Sequence, residues 1–569
     1  MAATLVLVAA ASAALSVGCR GNDARRAAPA QTAPTRGGDL VTMVRIDPQS
    51  FNWYTRRDSS TNVVSLLSHA RLVRINRATY ELEPWLAEKW EASPDGLRYT
   101  VHLRKNVTFA DGHPFTADDV VFSLKAAYDK ASIIGDSLQV NGRNLAIDAT
   151  DPTTLVVTFP APFGPGMRIF DTLPILPKHK LESILAAGRF AEAWNLATPP
   201  DQITGLGPFM LTEYAAGQRM VFRRNPHYFR SDATGPLPYL DRLIVEIMPE
   251  QDAQVLALQA GRADLPAFEI RPEDYAPLKR AAEQGTLQLL DLGVGLFSPA
   301  FWVNLKPGAF ANDPRAAWIQ RDELRQAISL AVDRKAFGDT VYLGAATPVY
   351  GPVTPANKLW YSDDVPHTPY DPARAKALLA QIGLEDRNGD GIAEDRAGRP
   401  ARFTLISQKG QTALERGAMV IRDQVKAIGL AVDVVLLDGG AVVNRFLSGK
   451  DYDAVYFPLI ASDTDPAMTP DFWLSAGSSR LWNLGQKTPA TEWEAEMDRL
   501  MARQSASLDD GERRRLFVEV QKIFAAHAPM VYFAAPRIYV AASARVTNLT
   551  PAVSPPQLLW AADTIAVKH

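Results

Sequence analysis

The chain is predicted to be an α/β protein of two or three domains, on three grounds. Its 569 residues exceed what a single hydrophobic core supports. Its C-terminal half alternates segments of helical and strand period, the pattern of a sheet covered by helices. Within that half, Leu430 to Leu437 is an almost unbroken apolar run, as in a strand buried on both faces.

The elements follow in chain order. Leu40 to Ile46 reads as a short strand, and the polar and aromatic loop Phe51-Asn52-Trp53-Tyr54 leads to a helix over Val63 to Arg71. Leu97, Tyr99, Val101 and Leu103 alternate with polar residues between two Asp-Gly turns, which is the period of a half-buried strand. Thr116 and Asp119 form a capping box at the start of a helix whose Val121, Leu124, Lys125 and Tyr128 share one face. Thr154 to Phe159 and Arg242 to Met248 are strands, and Gly205 to Phe209 is a break. A helix over Asp252 to Ala260 ends at Gly261. Leu324, Ala327, Ile328, Ala331 and Val332 form an apolar helix stripe. Asp371-Pro372 caps the next helix, buried through Ala375, Leu378, Leu379 and Ile382. Phe403 to Ile406 is a strand, followed by a helix lined by Leu414, Ala418, Ile421, Val425 and Ile428.

Composition excludes several functions. Hydrophobic residues make up 47% of the chain, so it folds. A net charge of −3 provides no basic field for nucleic acid. With one cysteine, Cys19, no disulfide framework or thiolate metal site forms. No P-loop, nucleophile elbow or zinc-spaced histidine pair is present, so the chain is read as no enzyme and as needing no cofactor. Asp386, Asn388 and Asp390-Gly391 match the first half of a calcium loop, but Ala397 stands where a bidentate Glu belongs; a polar hairpin turn is the competing reading.

Leu5 to Val17 has the length of a signal-peptide core and is too short to span a bilayer. No Lys or Arg precedes it, which points to a true start upstream of Met1. Val17-Gly18-Cys19 resembles the lipobox of bacterial lipoproteins, which makes Cys19 the lipidation site; cleavage after Ala13 is the alternative. Residues 20–36, rich in Ala, Arg, Pro and Thr, read as a flexible tether.

Glu83-Pro84-Trp85-Leu86-Ala87-Glu88-Lys89-Trp90, then Ser93 to Arg104 and Phe109 to Ser123, strongly resembles the signature of the family 5 solute-binding proteins, the peptide and nickel receptors of ABC transporters. Gly205 to Phe209, Arg224 to Phe229, Leu324 to Arg334, Tyr370 to Ala375 and Arg513 to Gln521 continue the likeness in order. The resemblance implies a type II periplasmic-binding-protein fold, two lobes joined by a hinge, with an extra subdomain in the first. It divides the chain into a signal at 1–19, the tether at 20–36, the first lobe at 37–76, 204–298 and 536–569, the subdomain at 77–203 and the second lobe at 299–535. Crossover strands are expected near Phe301 to Leu305 and Ala534 to Tyr539. The implied protein is a periplasmic monomer, anchored through Cys19, that hands a peptide or similar amine-bearing solute to inner-membrane permease subunits. A nickel chelate, glycoside or opine, or a sensory role without a permease, is the alternative.

In peptide-binding members an Asp near an Asp-Pro pair captures the peptide's α-ammonium. Counting back from Pro466 gives Asp463 that place; counting forward from Tyr452-Asp453 gives it to Ser462. The family's preceding Gly-Trp is replaced here by Pro458-Leu459-Ile460. Asp463 and Asp465 as loop caps is the competing reading. Asn52, Trp53, Tyr54 and Asn304 are further ligand candidates, with Ser407 and Gln408 at a strand end, where α/β sheets present ligands. Trp302 and Trp473 offer surfaces for stacking. On this reading Asp463→Asn abolishes binding and leaves the melting temperature nearly unchanged.

Overall fold

A computed structural model describes residues 34–448, 452–459 and 463–568. Cys19, the signal segment, most of the tether and Ser462 lie outside the described residues.

The first sheet has five strands. Asp39–Val44 lies parallel to Arg242–Ile247, with Asp39 opposite Arg242, so residues about two hundred positions apart share one core. Arg219–Arg224, Phe209–Ala215 and the short Leu265–Pro266 complete it. A separate antiparallel sheet, Ala87–Ala92, Arg98–Leu103, Thr154–Thr158 and Ala146–Asp151, carries the period-2 segment read from the sequence. Tyr99, Val101 and Leu103 point inward there, as the alternation requires. Leu40 and Phe222 of the first sheet and Val101 and Leu155 of the second belong to one continuous apolar core, so the subdomain is welded to its lobe.

The second lobe is built on the strands Ala431–Leu437, Arg402–Gln408, Ala454–Phe457, Ala300–Val303 and Met530–Tyr532, in that spatial order. One face packs under helices Asp322–Ala331, Pro372–Gln381 and Thr412–Lys426. The other packs under Glu492–Ala506 and Asp510–His527, around Trp302, Trp473, Trp482, Phe517 and Phe524. Two long antiparallel strands, Leu287–Val294 and Ala534–Ser543, run between the lobes, with Leu287 opposite Ser543.

Several elements differ from expectation. The first crossing is made by Leu287–Val294; Phe301 to Leu305 was the expected position, but Ala300–Val303 is an inner strand of the second sheet. Ala431–Leu437 is an edge strand, with Asp433 and Val435 exposed, so its apolar run does not mean burial on both faces. The first helix spans Ser59–Ser68, starting earlier because the Asp58 carboxylate accepts from Ser60 N (3.0 Å) and Thr61 N (2.9 Å). It stops at Ser68 because Gly205 and Gly207 press on it: Gly207 N donates to Ser68 O at 2.9 Å, and a Cβ on Gly205 would lie 2.0 Å from that oxygen. In Ala117–Ala127 the Asp119 carboxylate accepts from Thr116 N (2.9 Å) as the capping box requires, but Lys125 faces solvent and Val120, Ser123 and Ala127 are buried instead.

Candidate functional site

A cavity of about 890 Å³ opens between the lobes, within the size range of small-ligand sites. Arg57, the hairpin Asp136 to Gly142, Phe163 and Ile169 line it from the first lobe, and Leu296 to Ser298 from the crossing. The second lobe contributes Asn357, Asp463, Thr464, the segment Pro466 to Leu474, Phe517 and Tyr532. A smaller recess of about 320 Å³ among Asp313, Arg315, Arg399 and Asp433 lies within the second lobe alone, where lobe closure has no leverage.

The lobes are bolted together beside the cavity. The 3-10 helix Gly166–Thr172 of the first lobe presents Arg168 to Asp463 of the second. Arg168 Nε donates to Asp463 Oδ1 (3.0 Å) and Oδ2 (3.1 Å), and Nη2 donates to Oδ1 (2.8 Å). Arg168 Nη1 donates to Tyr80 O (3.2 Å), holding the guanidinium from behind. Both side chains are almost buried, 10% and 5% exposed, so solvent screens the pair little. Burial works against the Arg168 charge, but the Asp463 carboxylate outweighs it and raises the arginine's pKa. Gly164 permits this approach: its N donates to Ser505 O (2.7 Å), and a Cβ there would lie 2.4 Å from Ser507 O.

Two residues down the chain, Asp465 caps Pro466–Met468 through Ala467 N (2.9 Å) and pairs with Arg513 Nη2 (2.6 and 2.9 Å). Burial pushes the Asp465 carboxyl up, against the pull of Arg513. Asp465 N donates to Asp463 Oδ1 (2.9 Å), so that oxygen is filled while Oδ2 carries only the Arg168 Nε bond. A carboxylate oxygen accepts two hydrogen bonds, and Oδ2 therefore has room for one more donor. Asp136, Asp463 and Asp471 line the cavity against Arg57, with Arg168 behind Asp463, leaving one negative charge in excess.

Of the residues singled out from the sequence, Asp463 and Trp473 line this cavity. The other described ones pack against local partners. Asn52 is buried, with Nδ2 donating to Ala193 O (3.3 Å) and Oδ1 accepting from Tyr54 N (3.0 Å). The Tyr54 hydroxyl donates to Pro174 O (2.6 Å), and Trp53 stacks under Arg57. Asn304 Oδ1 accepts from Lys306 N (3.2 Å) in a buried turn. Ser407 is fully buried and donates to Tyr456 O (2.9 Å), and Gln408 packs on Gly439. Trp302 lies in the core of the second lobe. Arg168 escaped the sequence reading altogether. The calcium-like loop brings carboxylate oxygens of Asp386, Asp390 and Glu394 within 4.8 Å of one another, but Asp386 already accepts from Gly389 N and Gly391 N, as a hairpin turn does.

The family model described as bacterial extracellular solute-binding proteins, family 5 (middle) matches residues 81–480. A "Probable ABC transporter-binding protein" of Deinococcus radiodurans is 26% identical over 537 residues, covering 90% of this chain and 89% of that protein. The oligopeptide-binding protein AppA of Bacillus subtilis is 29% identical over 454 residues, covering 77% and 76%. Its structure with a nonapeptide superposes with a TM-score of 0.72 at 24% identity, covering 94% of this chain and all of that one. NikZ of Campylobacter jejuni with Ni(L-His) gives 0.71 at 21% identity, covering 90% and 95%.

Proposed function

Because this chain belongs to family 5 of the bacterial extracellular solute-binding proteins, we propose that its two lobes close over a short peptide or similar amine-bearing solute and deliver it intact to a permease. The protein is a solute-binding component of an ABC transporter, in a family of transport-binding proteins rather than enzymes. Its fold is the two-lobed type II architecture.

The observation that carries the choice of solute is Asp463, held at the cavity wall by an arginine from the opposite lobe. Arg168 fixes the carboxylate so that Oδ2 meets the solute's ammonium without reorganising on arrival, which lowers the cost of binding. The excess negative charge favours a cation, and exclusion of water on closure strengthens the contact. Trp473, Phe517 and Tyr532 supply an apolar floor for side chains. A neutral glycoside leaves the surplus carboxylate unpaired. AppA, bound to a nonapeptide, supports the peptide reading.

We assign residues 37–298 with 536–569 to the first lobe and 299–535 to the second, Cys19 to lipid anchoring on the periplasmic side, and the inner-membrane permease as partner. Among the described residues no helix is long and apolar enough to cross a membrane. Native mass spectrometry of the freshly purified protein tests the solute: a ladder of peptide masses supports the reading, and a single sugar or metal chelate overturns it.

A further inference from the structure

A second, smaller cavity lies inside the first lobe and shares no lining residue with the solute site. It measures about 40 Å³ and is lined by His69, Arg71, Arg74, Arg77, Asp171 and Asp563, with apolar and aromatic residues closing the rest. One water needs about 10–15 Å³, so the space takes about three or four water-sized species and no larger solute.

The charges around it do not balance. Arg74 pairs with Glu83 at 2.8 Å and is sandwiched by Trp85 and Trp560. Arg230 pairs with Asp563. That leaves Arg71 and Arg77, neither of which has a carboxylate within 4.0 Å among the described residues. Asp171 attracts both and Asp463 attracts Arg77, but Asp171 Oδ1 already accepts from Ile75 N (3.0 Å) and Asp463 is engaged by Arg168. The four arginines and three carboxylates therefore carry one uncompensated positive charge. Arg77 spends Nη1 on Ser554 Oγ (3.1 Å) and the Pro555 carbonyl, and the Nε of Arg71 is buried with no hydrogen-bond partner. Arg71 and Arg77 are half-buried, and a guanidinium that is only partly hydrated and has no carboxylate bonded to it favours an anion beside it.

His69 identifies the second occupant. It is 5% exposed, and its Nε2 also lacks a partner. Ser68 Oγ gives its proton to Val64 O (2.6 Å), so the 3.0 Å contact between Ser68 Oγ and His69 Nδ1 has Nδ1 as donor. Nε2 is then a bare acceptor that requires a donor from the cavity.

We propose that this cavity is a binding site for one small inorganic monoanion of halide size, held between the guanidinium groups of Arg71 and Arg77, with one water bridging it to His69 Nε2. The water donates one proton to His69 and one to the anion, and the anion supplies the missing negative charge. Through Arg77 the ion also secures the segment Ser554-Pro555 to the turn that follows Ile75, the turn whose Tyr80 carbonyl backs Arg168.

The test uses the full chain and bromide as the probe. Crystals grown in sodium bromide give an anomalous peak in the cavity, in contact with Arg71 and Arg77. In parallel, chloride replaces gluconate at constant ionic strength, and the melting temperature rises by about 1–2 °C per tenfold increase once the site is the linked ligand. Arg77→Gln removes both signals, while Lys89→Gln, at an exposed ion pair, keeps them. A cavity without anomalous scattering together with a melting temperature indifferent to chloride means that water alone fills it, and the proposal falls. This outcome is independent of which solute the main cavity binds.

Discussion

Replacing Arg168 by Met leaves the Asp463 carboxylate 5% exposed, with Asp465 N (2.9 Å) and a long contact from Thr464 Oγ1 (3.5 Å) to satisfy it and no counter-charge bonded to it. Breaking one side of a buried ion pair costs about 3–5 kcal/mol, because the surviving charge stays desolvated. Asp463→Asn likewise strips Arg168 of its carboxylate, leaving it Tyr80 O, a 3.3 Å contact to Thr464 Oγ1 and an uncharged amide oxygen. Each single variant should therefore lose about 3 kcal/mol or more in urea unfolding. The double variant Arg168→Met/Asp463→Asn buries no charge and should lie within about 2 kcal/mol of the parent. The cycle then yields a coupling energy of about 3 kcal/mol or more, against the few tenths found for independent sites. Costs that simply add would refute the pairing and with it the lobe-to-lobe bolt. The geometry thus replaces the expectation that Asp463→Asn spares the melting temperature: the residue proposed to meet the solute also closes a buried pair.

Other perturbations follow from close contacts and burial. Gly207→Ala puts a Cβ 2.4 Å from the Ser68 carbonyl carbon and 2.5 Å from Leu67 O, so thermal melting should show a loss of about 3 kcal/mol or failure to fold. Gly440→Ala, with no atom within 4 Å of the new Cβ and a backbone open to any residue, should change it by less than about 0.5 kcal/mol. Burial first, and the nearby Arg71 charge second, hold the His69 pKa down at about 3, against an ordinary value of 6.5. The unfolded chain binds that proton below pH 6.5 and the folded one does not, so stability falls with pH between those values by about 1.4 kcal/mol per unit. Urea unfolding of His69→Asn across that window should show a slope shallower than the parent's by about that amount. An equal slope in both proteins contradicts the burial of a neutral imidazole.

The family signature was legible because it is local. Asp95-Gly96, the alternating strand and the Thr116–Asp119 box are short-range features, and each forms where the spacing puts it. The cavity was less legible because it is assembled from distant segments. Arg168 stands 295 residues from Asp463, inside a run of apolar residues with no periodic pattern, so nothing in its neighbourhood marks it as a partner. Gly164, which lets the second lobe approach, reads as an ordinary turn glycine until Ser505 and Ser507 are seen beside it. Asn52 and Tyr54 misled for the opposite reason. A polar and aromatic loop near a strand end resembles a ligand loop, yet the carbonyls of Ala193 and Pro174, far along the chain, take up its donors. Ser407 follows the strand-end rule in sequence, but its hydroxyl turns into the sheet toward Tyr456. Ala431–Leu437 shows how an apolar run reports neighbours without reporting position: its companion helix covers one face and the sheet simply ends there.

The central claim is that a solute is held between two lobes that shut around it. Small-angle scattering of the protein stripped of solute by partial unfolding, then saturated with the compound that native mass spectrometry identifies, tests it most directly. The radius of gyration should fall on saturation, and Asp463→Asn should show no such fall at the same solute concentration. An unchanged profile with the solute demonstrably bound would contradict the account.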